Sequence, residues 1–261
     1  MRCLILGVGG QDGSFLAEHL LSLGREVHGL YRRSSVDNLA RVAPVKDRLT
    51  LHRGDLCDPQ SVDRVLRAVA PDEVYNLADQ DHVDWSFQVP AYNLDVTAGA
   101  VGRLLESLRT LGKPVRLFQA ISATVFGTAP APQDESSPLA PQSPYACAKA
   151  CAWLLCRHYR REHGLWVSCG VLYNHESPRR GPGYLLQRIA RAAARHEPVE
   201  LCHLDDTVDV GYAGDYVRAM QLMLDVDHPD DYVVATGRPV SVRTWASFAY
   251  QTADANPELF V

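Results

Sequence analysis

Residues 1–20 read MRCLILGVGGQDGSFLAEHL, an apolar run that meets clustered glycines and then continues with helix-forming residues. This order predicts a buried strand, a tight turn and a helix. Gly7 permits the turn, Gly10 lets a phosphate approach the backbone, and Gly13 allows close packing of the helix on the strand. Gln11 and Asp12 open the helix, whose free N–H groups favour an anion. The pattern predicts a dinucleotide site, and a purely structural glycine turn is the alternative.

The rest of the chain repeats the alternation of strand and helix. Apolar strands are predicted at 3–7, 26–32, 49–55, 73–78, 114–122, 166–174 and 230–237, and a long helix at 143–164. This alternation predicts an α/β fold with a doubly wound parallel sheet and a small, shortened substrate-binding lobe. We assign 1–173 to the sheet domain, with returns at about 204–218 and 230–237. Residues 174–203 and 238–261 form the lobe.

Two features after the second and third strands point to the adenosine end of a dinucleotide. Arg32 and Arg33 stand where an acid would bind a free ribose 2′-hydroxyl, and arginine suits a 2′-phosphate instead. The cofactor is therefore predicted to be NADP, with a solvated basic loop as the alternative. Asp55 and Leu56 follow the third strand and are expected near the adenine.

Composition excludes several classes of protein. The formal net charge of −5 does not favour a nucleic-acid binder. The N-terminal apolar run is too short for a membrane span, so we expect a strand there rather than a signal peptide, no membrane association and a cytoplasmic location. The seven cysteines include no C-x-x-C pair and are expected to be reduced and mostly buried.

A second constellation carries chemistry. Tyr145 and Lys149 are four residues apart, on one face of the predicted helix. We expect the ammonium to lower the pKa of the phenol toward working pH, so that the phenolate takes a proton from a sugar hydroxyl as a hydride leaves the same carbon. Ser122, at the end of the fifth strand, is expected to steady that hydroxyl.

Together these residues resemble the extended short-chain dehydrogenases/reductases, and the GDP-mannose 4,6-dehydratase family in particular. The matching segments are GQDGSFLAEHLL, EVHGLYRRSS, GDLCD, EVYNLA, SPYACAKA, NHESPRRG, DYVRAM and VVATG with SVR. The resemblance implies an NADP domain, a GDP-hexose ligand and a homo-oligomer that touches near the RRSS loop. By position, it implies that Asn174, Arg179 and Arg188 hold the nucleotide sugar.

The sequence also departs from this family. The family carries a glutamate that removes the C5 proton before water leaves, whereas this chain has Thr124 in the catalytic run Ser122-Ala-Thr124. A hydroxyl is too weak a base for that step. Family members usually continue past the point where this chain stops, which leaves a reduced lobe or a truncated form as alternatives.

The stretch NLADQDHVDWSF (76–87) adds acid near the expected diphosphate. Two charges about 4 Å apart interact by roughly 4 kcal/mol at an effective dielectric of about 20, so this acid requires compensation. One hypothesis is a Mn²⁺ or Mg²⁺ site, with metal ligands Asp79, Asp81, His82 and Asp84. The alternatives are solvated aspartates, or a catalytic aspartate (Asp81 or Asp84) that replaces the missing base. Asp81 is also a candidate substrate-binding residue.

Three functions remain open. The first is an enzyme that oxidises C4 of a nucleotide sugar transiently with NADP and then rearranges the keto sugar. The second is a metal-assisted isomerase or mutase that needs no redox cofactor. The third is a non-catalytic nucleotide-sugar binding protein, which would have no need to keep Tyr145 and Lys149.

Overall fold

A computed structural model describes residues 1–256 of the chain. The strands are β1 Arg2–Leu6, β2 Glu26–Tyr31, β3 Thr50–Arg53, β4 Glu73–Asn76, β5 Arg116–Ser122, β6 Trp166–Leu172, β7 Asn174–Glu176, β8 Thr207–Val208, β9 Val210–Tyr212, β10 Asp231–Val234 and β11 Val240–Ser241. The helices are α1 Gln11–Ser22, α2 Pro59–Val69, α3 Val83–Gln88, α4 Pro90–Leu94, α5 Ala100–Arg109, α6 Pro144–His163, α7 Leu185–Arg195, α8 Ala213–Leu222 and α9 Val242–Thr252. A π-helical turn, Asp95–Gly99, joins α4 to α5. Contact clustering divides the chain into two compact units, which are described separately below.

The first unit comprises Met1–Leu172 and Gly214–Val234 and is built on a parallel sheet. The strand order is β10-β6-β5-β4-β1-β2-β3, so the chain runs outward from β1 in both directions. Ligands of such sheets bind at the carboxyl ends of the strands near this reversal. The predicted doubly wound fold is therefore confirmed, and its topology places the ends of β1, β4 and β5 side by side.

The core of this unit explains why β1 reads as a continuous apolar run. Cys3 and Ile5 are fully buried and pack with Leu16 and Leu20 of α1. A parallel strand covered by helices on both faces needs apolar residues at every position. Full burial of each large side chain contributes about 1.5–3 kcal/mol. This packing fixes the position of the turn between β1 and α1.

Within the described residues, the second unit comprises Tyr173–Ala213 and 235–256 and has its own core, formed by α7 and α9. The predicted sheet return at about 204–218 differs from this division, because residues up to Ala213 belong to the second unit. The reason is strand pairing: β8 pairs with β11 and β9 pairs with β7, so neither joins the seven-stranded sheet. The strand predicted at 230–237 ends at Val234. The end of the predicted lobe, 257–261, lies outside the described residues.

The helices of the described part of the chain are too short or too polar to cross a bilayer. Within residues 1–256, none combines the length and the apolar character that a membrane span requires.

Candidate functional site

The turn between β1 and α1 has the geometry of a phosphate cradle. Gly7 has a φ of +85°, and a Cβ there would lie 3.0 Å from the Ala78 backbone. A Cβ on Gly13 would lie 2.3 Å from the Gly7 carbonyl oxygen. Gly10 precedes the first residue of α1, and no side chain caps this helix end. The start of α1 therefore faces a turn that has no room for side chains, as a bound pyrophosphate requires.

A cleft of about 330 Å³ opens beside this turn within the first unit. Five residues predicted from sequence to bind the cofactor line it: Gly7, Gly10, Arg32, Asp55 and Leu56. Gln11, Asp12 and Gly13 lie in the first turn of α1, next to the lining residues. Arg33 is exposed and does not line the cleft. The lining residues fit a dinucleotide, with the glycines at the phosphates.

The residues around Arg32 are held by contacts that sequence reasoning did not identify. Arg32 Nη1 donates a hydrogen bond to the Tyr92 hydroxyl over 3.0 Å, and Asn38 Nδ2 donates to the Arg32 carbonyl oxygen over 2.7 Å. Asn38 and Tyr92 both line the cleft. No local pattern marks them, because their role depends on where the β2–β3 connection and α4 pack.

The Ser–Tyr–Lys set lies at the carboxyl end of β5 and in the first turns of α6. Ser143 caps the start of α6, and Pro144 follows it, which fixes the first turn that carries Tyr145. The Tyr145 backbone N–H donates to the buried Ser86 hydroxyl over 3.2 Å. The Ser122 hydroxyl lies near the Tyr145 phenol and acts to lower its pKa. The structure therefore brings Ser122, Tyr145 and Lys149 together, as the sequence predicted.

Lys149 has a partner that the sequence analysis did not foresee. Its Nζ lies 2.5 Å from Asp79 Oδ2, and both side chains are only 7% exposed. The same Nζ donates to the Ala120 carbonyl oxygen over 2.9 Å and lies 5.7 Å from the centre of the Tyr145 ring. The lysine charge is therefore neutralised inside the site.

This ion pair corrects the expected protonation of the phenol. Burial raises the pKa of Tyr145 to about 12; Lys149 opposes that rise, and the carboxylates of Asp79 and Asp81 add to it. The expectation that the lysine brings the phenol pKa toward neutrality is wrong, because burial raises that pKa by more than Lys149 lowers it. At neutral pH Tyr145 is a neutral phenol.

The predicted metal site is not supported. Across residues 1–256, no three His, Cys, Asp or Glu side chains are arranged to hold a metal ion. Asp79 is committed to Lys149, the His82 ring caps α3, and Asp84 is exposed on the first turn of that helix. Asp81 alone of the remaining three lines the cleft. The carboxylate of Asp79 is thus compensated by lysine rather than by a divalent cation.

Thr124 lies beside the catalytic set. Its hydroxyl donates to Ser122 Oγ over 3.0 Å, and the side chain is exposed. A short 3₁₀ turn, Ala123–Val125, follows β5, and Ser122 caps its start. No carboxylate stands at this position, so the arrangement offers a proton donor at Tyr145 and no strong base at Thr124.

The three residues predicted to hold the nucleotide sugar belong to the second unit. Asn174 is in β7 and pairs with Val210. The Arg179 backbone N–H donates to Ser177 Oγ over 3.1 Å, and Arg188 Nη2 donates to the Glu200 carbonyl oxygen over 3.3 Å. Arg188 lines a cleft of about 760 Å³ in this unit together with Arg191 and Arg195. Glu197 and Glu200 also line this cleft, and Glu197 pairs with Arg195, so its charge is mixed.

Comparison with known proteins gives a consistent result. The family model for GDP-mannose 4,6 dehydratase matches residues 4–258. GDP-mannose 4,6 dehydratase 1 of Arabidopsis thaliana is 44% identical over 266 aligned positions, which cover 95% of this chain and 74% of the relative. GDP-mannose 4,6-dehydratase of Vibrio cholerae is 43% identical, covering 95% of this chain and 71% of the relative.

Solved structures agree with this comparison at the level of the fold. The dTDP-glucose 4,6-dehydratase DesIV of Streptomyces venezuelae, solved with NAD bound, has a TM-score of 0.92 and 26% identity; the match covers 100% of this chain and 84% of that chain. The UDP-glucose 4-epimerase of Thermus thermophilus, also in complex with NAD, has a TM-score of 0.90 and 27% identity; the match covers 98% and 85%. The chain therefore belongs to the GDP-mannose 4,6-dehydratase family, among the nucleotide-sugar dehydratases and epimerases with a Rossmann-type fold.

Proposed function

We propose that this protein exchanges a hydride at C4 of a GDP-linked hexose with a nicotinamide cofactor. The observation that carries the proposal is the set formed by Ser122, Tyr145 and Lys149 in the unit that holds the glycine cradle. Family membership supports the GDP-hexose as the substrate class. The cofactor, when bound, accepts or supplies the hydride at the sugar carbon.

Each member of the set has a role that follows from its contacts. Tyr145 gives a proton to, or takes one from, the oxygen on C4, because its phenol is the titratable group beside Ser122 and Lys149. Ser122 orients that oxygen through its hydroxyl. Lys149 holds the site together through its bonds to Asp79 and the Ala120 carbonyl.

The choice of cofactor and of sugar-binding residues rests on where these residues lie in the sequence and in the structure. We propose NADP because Arg32 lines the cleft where a 2′-phosphate would need a cation, although DesIV and the Thermus epimerase were solved with NAD. Asp81 in the first unit and Asn174, Arg179 and Arg188 in the second unit are proposed to contact the nucleotide sugar. A homo-oligomer is proposed from the family resemblance.

Dehydration through a base at position 124 is not expected. Removal of the C5 proton needs a base, and Thr124 offers only a hydroxyl bonded to Ser122. Thr124→Glu is therefore expected to enable loss of water from the sugar, which mass spectrometry of the product measures. Thr124→Gln is the matched control, because it has nearly the same shape and no basic carboxylate.

The central test is hydride transfer with GDP-hexoses and with their 4-ketones, followed in both directions by the absorbance of the reduced nicotinamide. Tyr145→Phe should abolish transfer while GDP-hexose binding, measured by calorimetry, is retained. Tyr159→Phe is the matched control, since Tyr159 lies on the same helix but its hydroxyl hydrogen-bonds to Glu106, outside the Ser–Tyr–Lys set. Equal rates for the two variants would contradict the proposal.

One observation favours a second candidate, a binding protein without turnover. The Asp79–Lys149 ion pair offsets part of the positive charge that stabilises a phenolate at Tyr145. The two candidates separate in the same experiment: binding of GDP-hexose without transfer in either direction supports the second.

A further inference from the structure

The carboxylate of Asp79 is built into the site through both of its oxygens. Oδ2 pairs with Lys149, while Oδ1 accepts hydrogen bonds from the Gln80 backbone N–H over 2.7 Å and from the Thr97 hydroxyl. Thr97 lies in the π-helical turn Asp95–Gly99, and such turns re-aim side chains within a helix. The acid therefore has a fixed place beside the lysine.

The groups that act on the Tyr145 phenol come from three elements. Lys149 lies on the same helix, Asp79 and Asp81 follow β4, and Ser122 ends β5. Two carboxylates thus oppose one ammonium around a phenol that is 7% exposed. Low exposure and excess negative charge both disfavour a phenolate.

We propose that Asp79 is a positioning residue that holds Lys149 so that Tyr145 stays a neutral phenol, and that the site reduces the carbonyl of a 4-keto nucleotide sugar in preference to oxidising a hydroxyl. This inference rests on the proposed function and assigns the direction of the hydride transfer and the substrate class. A neutral phenol is already in the form that donates a proton.

Reduction at C4 transfers one hydride and one proton to the carbonyl group. The C4 carbonyl carbon gains a hydride from a reduced nicotinamide cofactor, and the C=O π bond breaks as the new C–H bond forms. The carbonyl oxygen takes the Tyr145 hydroxyl proton and becomes a hydroxyl group. The ketone is reduced, the nicotinamide is oxidised, and the phenolate that forms regains a proton from solvent.

Thr124 supports reduction of the C4 carbonyl independently of Asp79. Reduction of a ketone needs a hydride and a proton but no base at C5. Thr124, which offers no basic group, is sufficient for this reaction and insufficient for dehydration. The hydroxyl in place of a base at position 124 and the neutral phenol of Tyr145 thus both suit a 4-keto nucleotide sugar as the substrate.

The first experiment reads the phenol without turnover. Ultraviolet absorbance of tyrosinate is titrated in the protein and in Tyr145→Phe, and the difference isolates Tyr145. We expect no Tyr145 tyrosinate below about pH 10, and a midpoint lower by about one pH unit or more in Asp79→Asn. Asp84→Asn is the matched control for charge and should leave the titration unchanged. Tyrosinate in the unaltered protein near neutral pH would overturn the proposal even if Asp79→Asn does not fold.

The second experiment compares directions at neutral pH in single turnover. A GDP-linked 4-keto-hexose with reduced cofactor should react at least about tenfold faster than the GDP-hexose with oxidised cofactor. Asp79→Asn should raise the rate of oxidation about tenfold and shift its pH profile to lower pH. Faster oxidation than reduction in the unaltered protein would overturn this inference alone. Absence of transfer in both directions would overturn the proposed function as well.

Discussion

Replacing Asp79 by alanine is expected to destabilise the protein by about 3 kcal/mol. Removing one partner of a buried ion pair costs about 3–5 kcal/mol, because the other charge stays buried. Both side chains are 7% exposed, so solvent screens the pair little. We expect the lower end of this range of costs, because Lys149 keeps its hydrogen bond to the Ala120 carbonyl oxygen. The Thr97 hydroxyl and the Gln80 N–H lose their acceptor.

A double-mutant cycle separates this interaction from the other effects of the substitution. Lys149→Met keeps much of the side-chain volume without the charge, and the double variant Asp79→Ala/Lys149→Met should be more stable than the sum of the single effects predicts, by about 2 kcal/mol. Urea denaturation at fixed pH measures each free energy of unfolding, and an unchanged slope of the transition validates the comparison. Asp63→Ala, which breaks an exposed ion pair with Arg67, is the control and should have no resolvable effect. Additive single effects, or a cost below about 1 kcal/mol for Asp79→Ala, would refute the buried pair.

Three further predictions follow from other parts of the first unit. Gly13→Ala should cost about 1–3 kcal/mol and abolish dinucleotide binding in calorimetry, because its Cβ would lie 2.3 Å from the Gly7 carbonyl oxygen, whereas Gly183→Ala has nothing within 4 Å and should be neutral. Burial raises the pKa of Tyr145 to about 12, so the folded protein keeps a proton that the unfolded chain releases above about pH 10. The free energy of unfolding should therefore fall by up to about 1.4 kcal/mol per pH unit between pH 10 and 12. Tyr145→Phe should remove that part of the slope when urea denaturation is measured across this pH range. Burial raises the pKa of Asp231, but hydrogen bonds from Arg160 and Arg157 hold that pKa below its ordinary value. Asp231→Asn should therefore lower the free energy of unfolding by about 3 kcal/mol at pH 7, and by progressively less as pH falls below about 4. A loss of stability that does not change with pH would contradict this prediction.

The fold and part of the site followed from local sequence. The glycines between β1 and α1 and the four-residue spacing of Tyr145 and Lys149 are short-range patterns, and local backbone geometry alone determines where these residues lie. The boundary at Ala213 did not follow, because residues 207–212 read as strand and only pairing decides which sheet they join.

The interpretation of Asp79 failed for a different physical reason. Asp79 and Lys149 are 70 positions apart, and the contact exists because β4, β5 and α6 pack side by side. The sequence showed excess acid near a phosphate site, and a metal ion was one reasonable compensation. The lysine that provides the compensation was already assigned to the phenol, so the two roles were not connected.

The central claim is hydride transfer at C4 of a nucleotide sugar. The most direct test uses a reduced nicotinamide that carries deuterium at the transferable position, together with a GDP-linked 4-keto-hexose, and locates the label by nuclear magnetic resonance. We expect deuterium on C4 of the recovered sugar, and none in Tyr145→Phe. A converted sugar with no deuterium at C4 would contradict the account.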